Sequence, residues 1–221
     1  MPPTDDDREL LDQGRPGDRE RDLTLFAARY GTRLAAACRR LTGNATDGED
    51  ALQEVWIQIN RSLGGFRGES DPYTWAFRIA VRVCLNQKRG LRARAVHVGL
   101  EGAAGALTAS AAEGGDPDFS CAASFRAWVV ERALLDLPAG QRQAVTLHDL
   151  EEMTAAETGA LLGIDANAVK QRVHRGRKAL RERIAREFAS RGVAIDAVES
   201  MGCVSGLFDG AAERTFDEPS P

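Results

Sequence analysis

Residues 168–184, AVKQRVHRGRKALRERI, concentrate basic side chains in this chain. Nine Lys and Arg residues but only two Glu residues lie between Ala168 and Arg191. Lys, Arg and Gln can form paired hydrogen bonds with base edges, and Arg and Lys also neutralise phosphates. This stretch could therefore recognise duplex DNA. The alternative is a solvated basic helix without a ligand, which the strength of the charge bias disfavours.

The spacing of apolar residues predicts that this stretch is the second helix of a helix-turn-helix. Before it, Thr154 and Glu157 fit a capping box for a short helix over 155–162, and Gly163-Ile164-Asp165 supplies the turn. The residues predicted to face the core are Val169, Val173, Gly176, Leu180 and Ile184. Those predicted to face outward, toward the major groove, are Lys170, Gln171, His174, Arg175 and Lys178. Phosphate contacts are predicted for Arg172, Arg177, Arg181 and Arg183.

A second basic segment interleaves cations with aromatic residues. No Asp or Glu occurs from Pro72 to Leu100, although the whole chain has a net charge of -4. Aromatic faces stack on unpaired bases and cations neutralise the backbone, the combination expected for single-stranded DNA. The candidate contacts are Trp75, Phe77, Arg78, Arg82, Lys88 and Arg89. The signal is weak by itself, because Trp75 and Phe77 are two residues apart on a helix and one of them can be core.

An acidic amphipathic helix is predicted from Thr46 or Asp47 to Leu63. Asp47, Asp50 and Glu54 are spaced by three and four residues, which places them on one helix face. Such a face suits a basic protein surface, and a solvated face is an equally good interpretation of this segment alone.

Nothing in the sequence indicates catalysis or a bound metal: it has no Ser-His-Asp, Cys-His, paired-carboxylate or phosphate-loop arrangement. The isolated histidines are His97, His148 and His174. The cysteines, scattered without a CxxC spacing and expected to be reduced, are Cys38, Cys84, Cys121 and Cys203. We therefore expect no enzymatic activity, no cofactor and no metal. No apolar run approaches the ~20 residues of a membrane span, so we expect a cytoplasmic protein without membrane insertion.

These motifs lie on helical segments that divide the chain. Helical periodicity extends from Leu23 to Leu41, from about 46 to 63 and from Pro72 onward, with Gly43-Asn44 and Gly64-Gly65 as stop signals. Residues 95–123 lose this periodicity and gain Ala, Gly and Ser, which is typical of a flexible linker. The predicted organisation is all-α: a mobile arm at 1–21, a helical domain at 22–94, the linker at 95–123, a helix-turn-helix domain at 124–191 and a tail at 192–221.

Four ordered sequence blocks together resemble one family. They are LTGNATDGEDALQEVWI, FRGES, TWAFRIA and ALLDLPAGQRQAVTLHDLEEMTAAETGALLGIDANAVKQRVHRGRKALRERI. The chain is similar to the extracytoplasmic-function (ECF) group of bacterial sigma-70-type RNA polymerase sigma factors, over most of residues 23–89 and 125–188. The resemblance implies two small helical domains, a sigma region 2 bundle and a sigma region 4 helix-turn-helix, without enzymatic activity. It also implies that the protein binds core RNA polymerase and directs promoter-specific transcription initiation.

The resemblance assigns roles to the candidate surfaces. The acidic helix of region 2 would dock on core polymerase through Asp47, Glu49, Asp50, Gln53 and Glu54. Region 2 would also capture the melted -10 element of promoter DNA through Phe66, Arg67, Gly68, Glu69, Ser70, Trp75, Arg78, Arg82, Lys88 and Arg89. Region 4 would read the duplex -35 element through Lys170, Gln171, Arg172, His174, Arg175, Arg177 and Lys178. The family also implies an anti-sigma factor that covers these faces.

Three positions depart from the family pattern. Arg82 and Asn86 stand where the family usually has Asn and Asp, so the preferred -10 sequence cannot be transferred. Gly159 replaces a more usual small apolar residue and is expected to destabilise its helix by about 1 kcal/mol relative to Ala.

The alternative functional class is a helix-turn-helix transcriptional regulator that is not a polymerase subunit. That class would leave DGEDALQEVWI and FRGES unexplained.

Overall fold

The computed structural model describes residues 19–66, 70–97 and 122–190, with side chains for 21–66, 70–87, 125 and 127–190. Within these ranges every element is helical and none is a strand, so the predicted all-α class is confirmed. The α-helices are α1 (Arg19–Thr42), α2 (Ala45–Ser62), α3 (Pro72–His97), α4 (Ala122–Leu135), α5 (Ala139–Val145), α6 (Ala155–Leu162) and α7 (Ala166–Ser190). A 3-10 helix at Leu63–Gly65 and a π-helical turn at Thr146–Leu150 complete the described elements. The predicted tail at 192–221 and most of the predicted arm at 1–21 lie outside these ranges.

The chain divides into two compact units, Met1–Leu107 and Thr108–Pro221. The division falls inside the predicted linker, of which residues 98–121 lie outside the described part of the chain. Helical structure enters both ends of the predicted linker, because α3 continues to His97 and α4 begins at Ala122. Helix α3 continues past Gly90, because one Gly lowers the stability of a helix by only about 1 kcal/mol relative to Ala, which is too little to end a long helix.

In the first unit, α1, α2 and α3 pack around one apolar core. Its large, fully buried side chains include Phe26, Leu34, Leu41, Val55, Ile59 and Val81. Gly43, at φ 100°, follows α1 and donates its N–H to the Arg39 carbonyl at 2.7 Å. Asn44 then caps α2 by accepting the Asp47 N–H at 2.7 Å. At Gly48 a Cβ atom would lie 2.9 Å from the Arg39 Cα, so this glycine lets α1 and α2 approach closely.

In the second unit, α7 packs against α4, α5 and α6. Its larger core cluster contains Val129, Ala133, Leu134, Leu137, Val145, Leu180, Ile184 and Phe188. At Gly176 a Cβ atom would lie 2.6 Å from the Val145 Cγ2, so α5 and α7 meet where one of them has no side chain. Arg142 is 1% exposed and donates from Nη1 to the Leu135 carbonyl at 3.0 Å and the Leu137 carbonyl at 2.8 Å. These bonds satisfy carbonyl groups at the end of α4, while burial lowers the pKa of Arg142.

The helix-turn-helix is formed by α6, the turn after it and α7. The Thr154 hydroxyl accepts the Glu157 N–H at 3.2 Å and the Glu157 carboxylate accepts the Thr154 N–H at 3.0 Å, so the predicted capping box is confirmed. Gly163 takes φ 69°, a left-handed conformation that favours glycine. At Gly159 a Cβ atom would lie 2.6 Å from the Ile164 carbonyl oxygen. The expectation that Gly159 only loosens its helix is therefore corrected, because the turn needs the space that a side chain would fill.

Candidate nucleic-acid and protein interfaces

The N-terminal half of α7 presents a polar, basic face. Asp165 caps the start of the helix by accepting the Ala168 N–H at 2.9 Å. The predicted apolar stripe is buried as expected: Val169, Val173, Gly176, Leu180 and Ile184. The predicted outward side chains are all exposed: Lys170, Gln171, His174, Arg175 and Lys178. The structure therefore brings the predicted base-reading side chains onto one accessible face, which we call the α7 basic face.

Arg177, which was predicted to contact DNA, forms an ion pair inside its own unit. Its Nε donates to the Asp149 Oδ2 at 3.0 Å and its Nη2 donates to the Asp149 Oδ1 at 2.6 Å. The Asp149 side chain is 1% exposed and that of Arg177 is 21% exposed. The hydrogen bonds to the carboxylate raise the pKa of Arg177 above its ordinary value, against the opposing effect of burial. Arg177 therefore joins α7 to the π-helical turn, whatever it contributes to DNA binding.

Two more predicted phosphate contacts are partly engaged within the second unit. Arg172 is half-buried, and its Nη1 lies 3.3 Å from the position that a Cβ atom on Gly140 would take. Arg183 donates from Nη1 to the Asp136 Oδ2 at 2.9 Å in a solvent-accessible pair. Their DNA contacts stay predictions. Arg181, the fourth predicted phosphate contact, is exposed one residue after Leu180 on the same helix.

Helix α2 presents the predicted acidic face to solvent. The exposed members of the predicted polymerase-binding set are Glu49, Asp50, Gln53 and Glu54. Asp47 is half-buried, and its Oδ2 accepts from the Asn44 Nδ2 at 2.8 Å. Glu54 also accepts from the Gln58 Nε2 at 2.6 Å, one helical turn further on. The structure thus gathers four of the five predicted residues on an accessible surface and uses the fifth in the helix cap.

The aromatic residues at the start of α3 separate into core and surface. Phe77 is 3% exposed and stacks on Tyr73, with 5.8 Å between ring centroids. Trp75 is half-buried and contacts the half-buried Phe66, with 5.1 Å between ring centroids. The ambiguity in the sequence is resolved: Phe77 belongs to the core, while Trp75 and Phe66 form a partly exposed aromatic pair.

Only part of the predicted -10 surface lies in the described residues. Arg78 and Arg82 are exposed on α3, and Ser70 is half-buried just before this helix. Asp71 caps α3 by accepting the Thr74 N–H at 2.8 Å, which fixes the direction in which the helix leaves the loop. The predicted residues Arg67, Gly68 and Glu69, and the side chains of Lys88 and Arg89, lie outside the described part.

A groove of about 730 Å³ lies between α2 and α3. Its α2 wall includes Asp50 and Glu54, and its α3 wall includes Trp75, Arg82 and Asn86. The surface predicted to bind a protein and the surface predicted to bind DNA are therefore neighbours across this groove.

Known proteins match both units. The model of Sigma-70 region 2 matches residues 26–94 and that of Sigma-70, region 4 matches residues 128–180. The ECF RNA polymerase sigma factor SigM of Mycobacterium tuberculosis is 31% identical over 174 residues, which cover 79% of this chain and 82% of SigM. The chain belongs to the ECF RNA polymerase sigma factors.

A further relative and a solved structure are also similar to this chain. The ECF RNA polymerase sigma-E factor of Escherichia coli K12 is 28% identical to the present sigma factor over 187 residues, which cover 80% of this chain and 94% of its relative. A co-crystal structure of the sigma factor RpoE with the anti-sigma factor NepR, from Bartonella quintana, matches with a TM-score of 0.54 and 22% identity. That match covers 74% of this chain and 97% of the solved one, and it shows a shared fold.

In this sigma factor, the region 2 match contains α2 and most of α1 and α3, and the region 4 match contains α6, the turn and α7 as far as Leu180. Sequence reasoning identified the family and both regions but missed Asp149. Its partner Arg177 lies 28 residues away along the chain, and no spacing rule links the two positions. No signal in the sequence distinguishes Asp149, since Glu151 and Glu152 lie within three residues of it.

The described residues hold neither a metal-binding cluster nor a membrane-spanning helix. They contain no group of three or more His, Cys, Asp or Glu side chains that could hold a metal ion. Among the helices in the same ranges, none is long and apolar enough to cross a bilayer.

Proposed function

We propose that this ECF sigma factor binds core RNA polymerase and directs promoter-specific initiation through three surfaces. Region 2 supplies a polymerase contact from α2 and a -10 contact from α3, and region 4 supplies a -35 contact from α7. One observation carries the proposal: region 2 and region 4 matches occur in one chain whose first unit exposes an acidic helix and whose second exposes a basic recognition helix.

The polymerase contact is assigned to the exposed acidic residues of α2. Glu49, Asp50, Gln53 and Glu54 form a face rich in carboxylates and hydrogen-bond acceptors. A complementary basic surface on core polymerase would gain both charge pairing and a faster encounter. Asp47 contributes by fixing the start of the helix, since its side chain is held by Asn44.

The -10 contact is assigned to the aromatic pair and the neighbouring cations of α3. Trp75 and Phe66 offer partly exposed ring faces, and stacking of an unpaired base on such a ring contributes about 1–3 kcal/mol. Arg78 and Arg82 lie along the same helix and can neutralise the phosphates of the separated strand. This combination favours an open promoter over a closed duplex.

The -35 contact is assigned to the α7 basic face. Arg175 and Lys170 have the donors that read guanine, and Gln171 has the donor and acceptor that read adenine. Arg181 is exposed further along the helix and suits a phosphate. The proposed base-reading residues and the proposed phosphate contact Arg181 therefore lie on one helix.

The same proposal describes a cytoplasmic, non-catalytic subunit that is itself controlled by an anti-sigma factor. Two features support this regulation: the polymerase-binding and -10 surfaces are adjacent across the α2–α3 groove, and a related sigma factor has been solved with an anti-sigma partner. One partner that covers the groove would block both contacts.

The competing function is a helix-turn-helix regulator that works beside another sigma factor. It explains α6 and α7 but gives no role to the acidic face of α2 or to the region 2 match. Run-off transcription with core enzyme and the DNA upstream of its own gene distinguishes the two. A sigma factor starts a specific transcript with core alone, whereas transcripts that need a second sigma factor would rule the proposal out.

A further inference from the structure

The half-buried arginines of α7 differ in what accepts their hydrogen bonds. They are Arg172, Arg177 and Arg183. Arg177 pairs with Asp149, and Arg183 pairs with Asp136. Within the described ranges, no hydrogen bond or ion pair involves the Arg172 side chain. A guanidinium group that is partly removed from water is stabilised by an anion, so Arg172 suits an anion from outside the protein.

The Arg172 guanidinium lies against the start of α5, where Gly140 has no side chain. A Cβ atom on Gly140 would lie 3.3 Å from the Arg172 Nη1, 3.6 Å from its Cζ and 3.8 Å from its Nε. One helical turn further along α7, a Cβ atom on Gly176 would lie 3.5 Å from the Gln141 Cβ. The first turn of α5 therefore packs along α7, and the guanidinium group lies in the gap above Gly140.

The space above Gly140, and not its backbone conformation, explains the glycine. Gly140 does not have a positive φ, so its backbone suits any residue. It also lies within α5, where Ala would favour the helix more than Gly does. What the glycine provides at this position is room for the Arg172 side chain.

Arg172 borders the α7 basic face on the side of Arg175. Successive residues of an α-helix are about 100° apart, so Arg172 and Arg175 are separated by about 60° around α7. A helix that lies in the major groove meets bases with the middle of its outward face, and phosphates line the edges of the groove. The position of Arg172 at the border of the face therefore suits a phosphate better than a base.

We propose that Gly140 is a positioning residue, which holds the Arg172 guanidinium at the edge of the α7 basic face for a phosphate of duplex DNA. This inference rests on the proposed -35 contact and deepens it. Because the guanidinium group is already packed against α5, Arg172 loses less conformational freedom on binding than a mobile side chain would. Gly140 needs no contact with the DNA for this role.

The test measures how the full chain binds a DNA duplex of random sequence, by fluorescence anisotropy over a range of salt concentrations. Arg172→Ala should weaken binding roughly three- to tenfold and lower the slope of log affinity against log salt concentration by about one, as expected for one lost phosphate contact. Gly140→Ala should reproduce most of both effects, because the added methyl group displaces the flexible end of Arg172. In the Arg172→Ala background, Gly140→Ala should change the affinity by less than about twofold.

Two controls separate positioning from a general effect on the fold. Gly140→Ala should not lower the melting temperature of the second unit, because Ala favours a helix more than Gly does. Arg181→Ala removes another proposed phosphate contact, away from Gly140 on the same helix. Its effect on affinity should therefore multiply with that of Gly140→Ala in the combined variant.

Three results would overturn the inference. Unchanged affinity and salt slope in Arg172→Ala would remove the phosphate contact, and this variant does not depend on the folding of Gly140→Ala. Unchanged affinity in a folded Gly140→Ala would remove the positioning role. An equal loss from Gly140→Ala with and without Arg172 would show that the glycine acts through the fold and not through the arginine.

Arg175→Ala distinguishes failure of this inference from failure of the proposed function. If Arg175→Ala weakens binding to the specific -35 site while the Arg172 and Gly140 variants bind as wild type does, only the inference is wrong. If the wild-type chain binds no duplex DNA, the assignment of the -35 contact to α7 is wrong, and the inference is wrong with it.

Discussion

Replacing Arg177 by Ala should destabilise the second unit by about 3 kcal/mol. The change leaves the Asp149 carboxylate, 1% exposed, without two hydrogen bonds from a charged donor. Removing one partner of a buried ion pair costs about 3–5 kcal/mol. Arg177 itself is 21% exposed, so water can reach the vacated space and the lower end of that range applies. The loss of stability should therefore be measurable on the protein alone, in the absence of DNA.

Arg183→Ala is the matched control, because it removes an Arg–Asp pair from the same helix. The Arg183 and Asp136 side chains are 33% and 53% exposed, and exposed pairs contribute about 0–1 kcal/mol. The full chain is unfolded in urea and the unfolding is monitored by pulsed hydrogen exchange. Exchange in peptides from α7 reports the stability of the second unit, and exchange in peptides from α3, in the first unit, is the internal reference. If the two variants lost equal free energy of unfolding, the stabilising role of the Arg177–Asp149 ion pair would be refuted.

The same pair has a defined pH dependence. Because the folded state raises the pKa of Arg177, the stabilisation is fully present below the ordinary arginine value and is lost only as pH rises through the raised value. The difference between wild type and Arg177→Ala should therefore stay constant between about pH 6 and 9. A difference that fell steeply within this window would point to another titrating group.

Three further predictions test the proposed interfaces. The double substitution Asp50→Lys with Glu54→Lys should make the protein a weaker competitor for core polymerase while leaving its affinity for duplex -35 DNA intact. Unchanged competition would refute the assignment of the polymerase contact to α2. Arg175→Ala should weaken binding to the specific -35 site by about 1–3 kcal/mol, whereas Arg181→Ala should weaken binding to specific and random DNA alike and lower the slope of log affinity against log salt concentration by about one. If both variants weakened binding to both DNAs equally, the base-reading face would be assigned to the wrong residues. Trp75→Ala should reduce open-complex formation, with rescue on a pre-melted template; normal permanganate reactivity of the -10 thymines would contradict this role.

Patterns local to one helix were predictable from the sequence. The stripe from Val169 to Ile184 follows the helical repeat and is buried, and the Thr154–Glu157 box depends on a spacing of three residues. The acidic face of α2 was predictable for the same reason. Each of these features requires knowledge of only one helix and its first turn.

Features that depend on packing between helices were not predictable. Whether Trp75 or Phe77 enters the core depends on where α1 lies, since Trp75 makes an edge contact with Phe26 at 6.4 Å between centroids while Phe77 is buried. Gly159 was interpreted from helix propensity alone, and the close approach of the Ile164 carbonyl reversed that interpretation. The Arg177–Asp149 pair likewise joins residues that only the folded unit brings together.

Charge segregation explains how a chain of net charge -4 can present surfaces suited to DNA. Exposed charges act over about 8–10 Å at physiological salt, so a phosphate responds to the nearest helix face and not to the whole chain. The exposed cations of α7 have no acidic side chain between Lys170 and Lys178, while the α3 cation Arg82 shares a groove with Asp50 and Glu54. Under the proposed function, a basic polymerase surface that covers these two carboxylates also removes negative charge beside a DNA-facing arginine. Polymerase binding and -10 binding would then reinforce each other in region 2, whereas the segment from Lys170 to Lys178 that forms the α7 basic face contains no acidic residue.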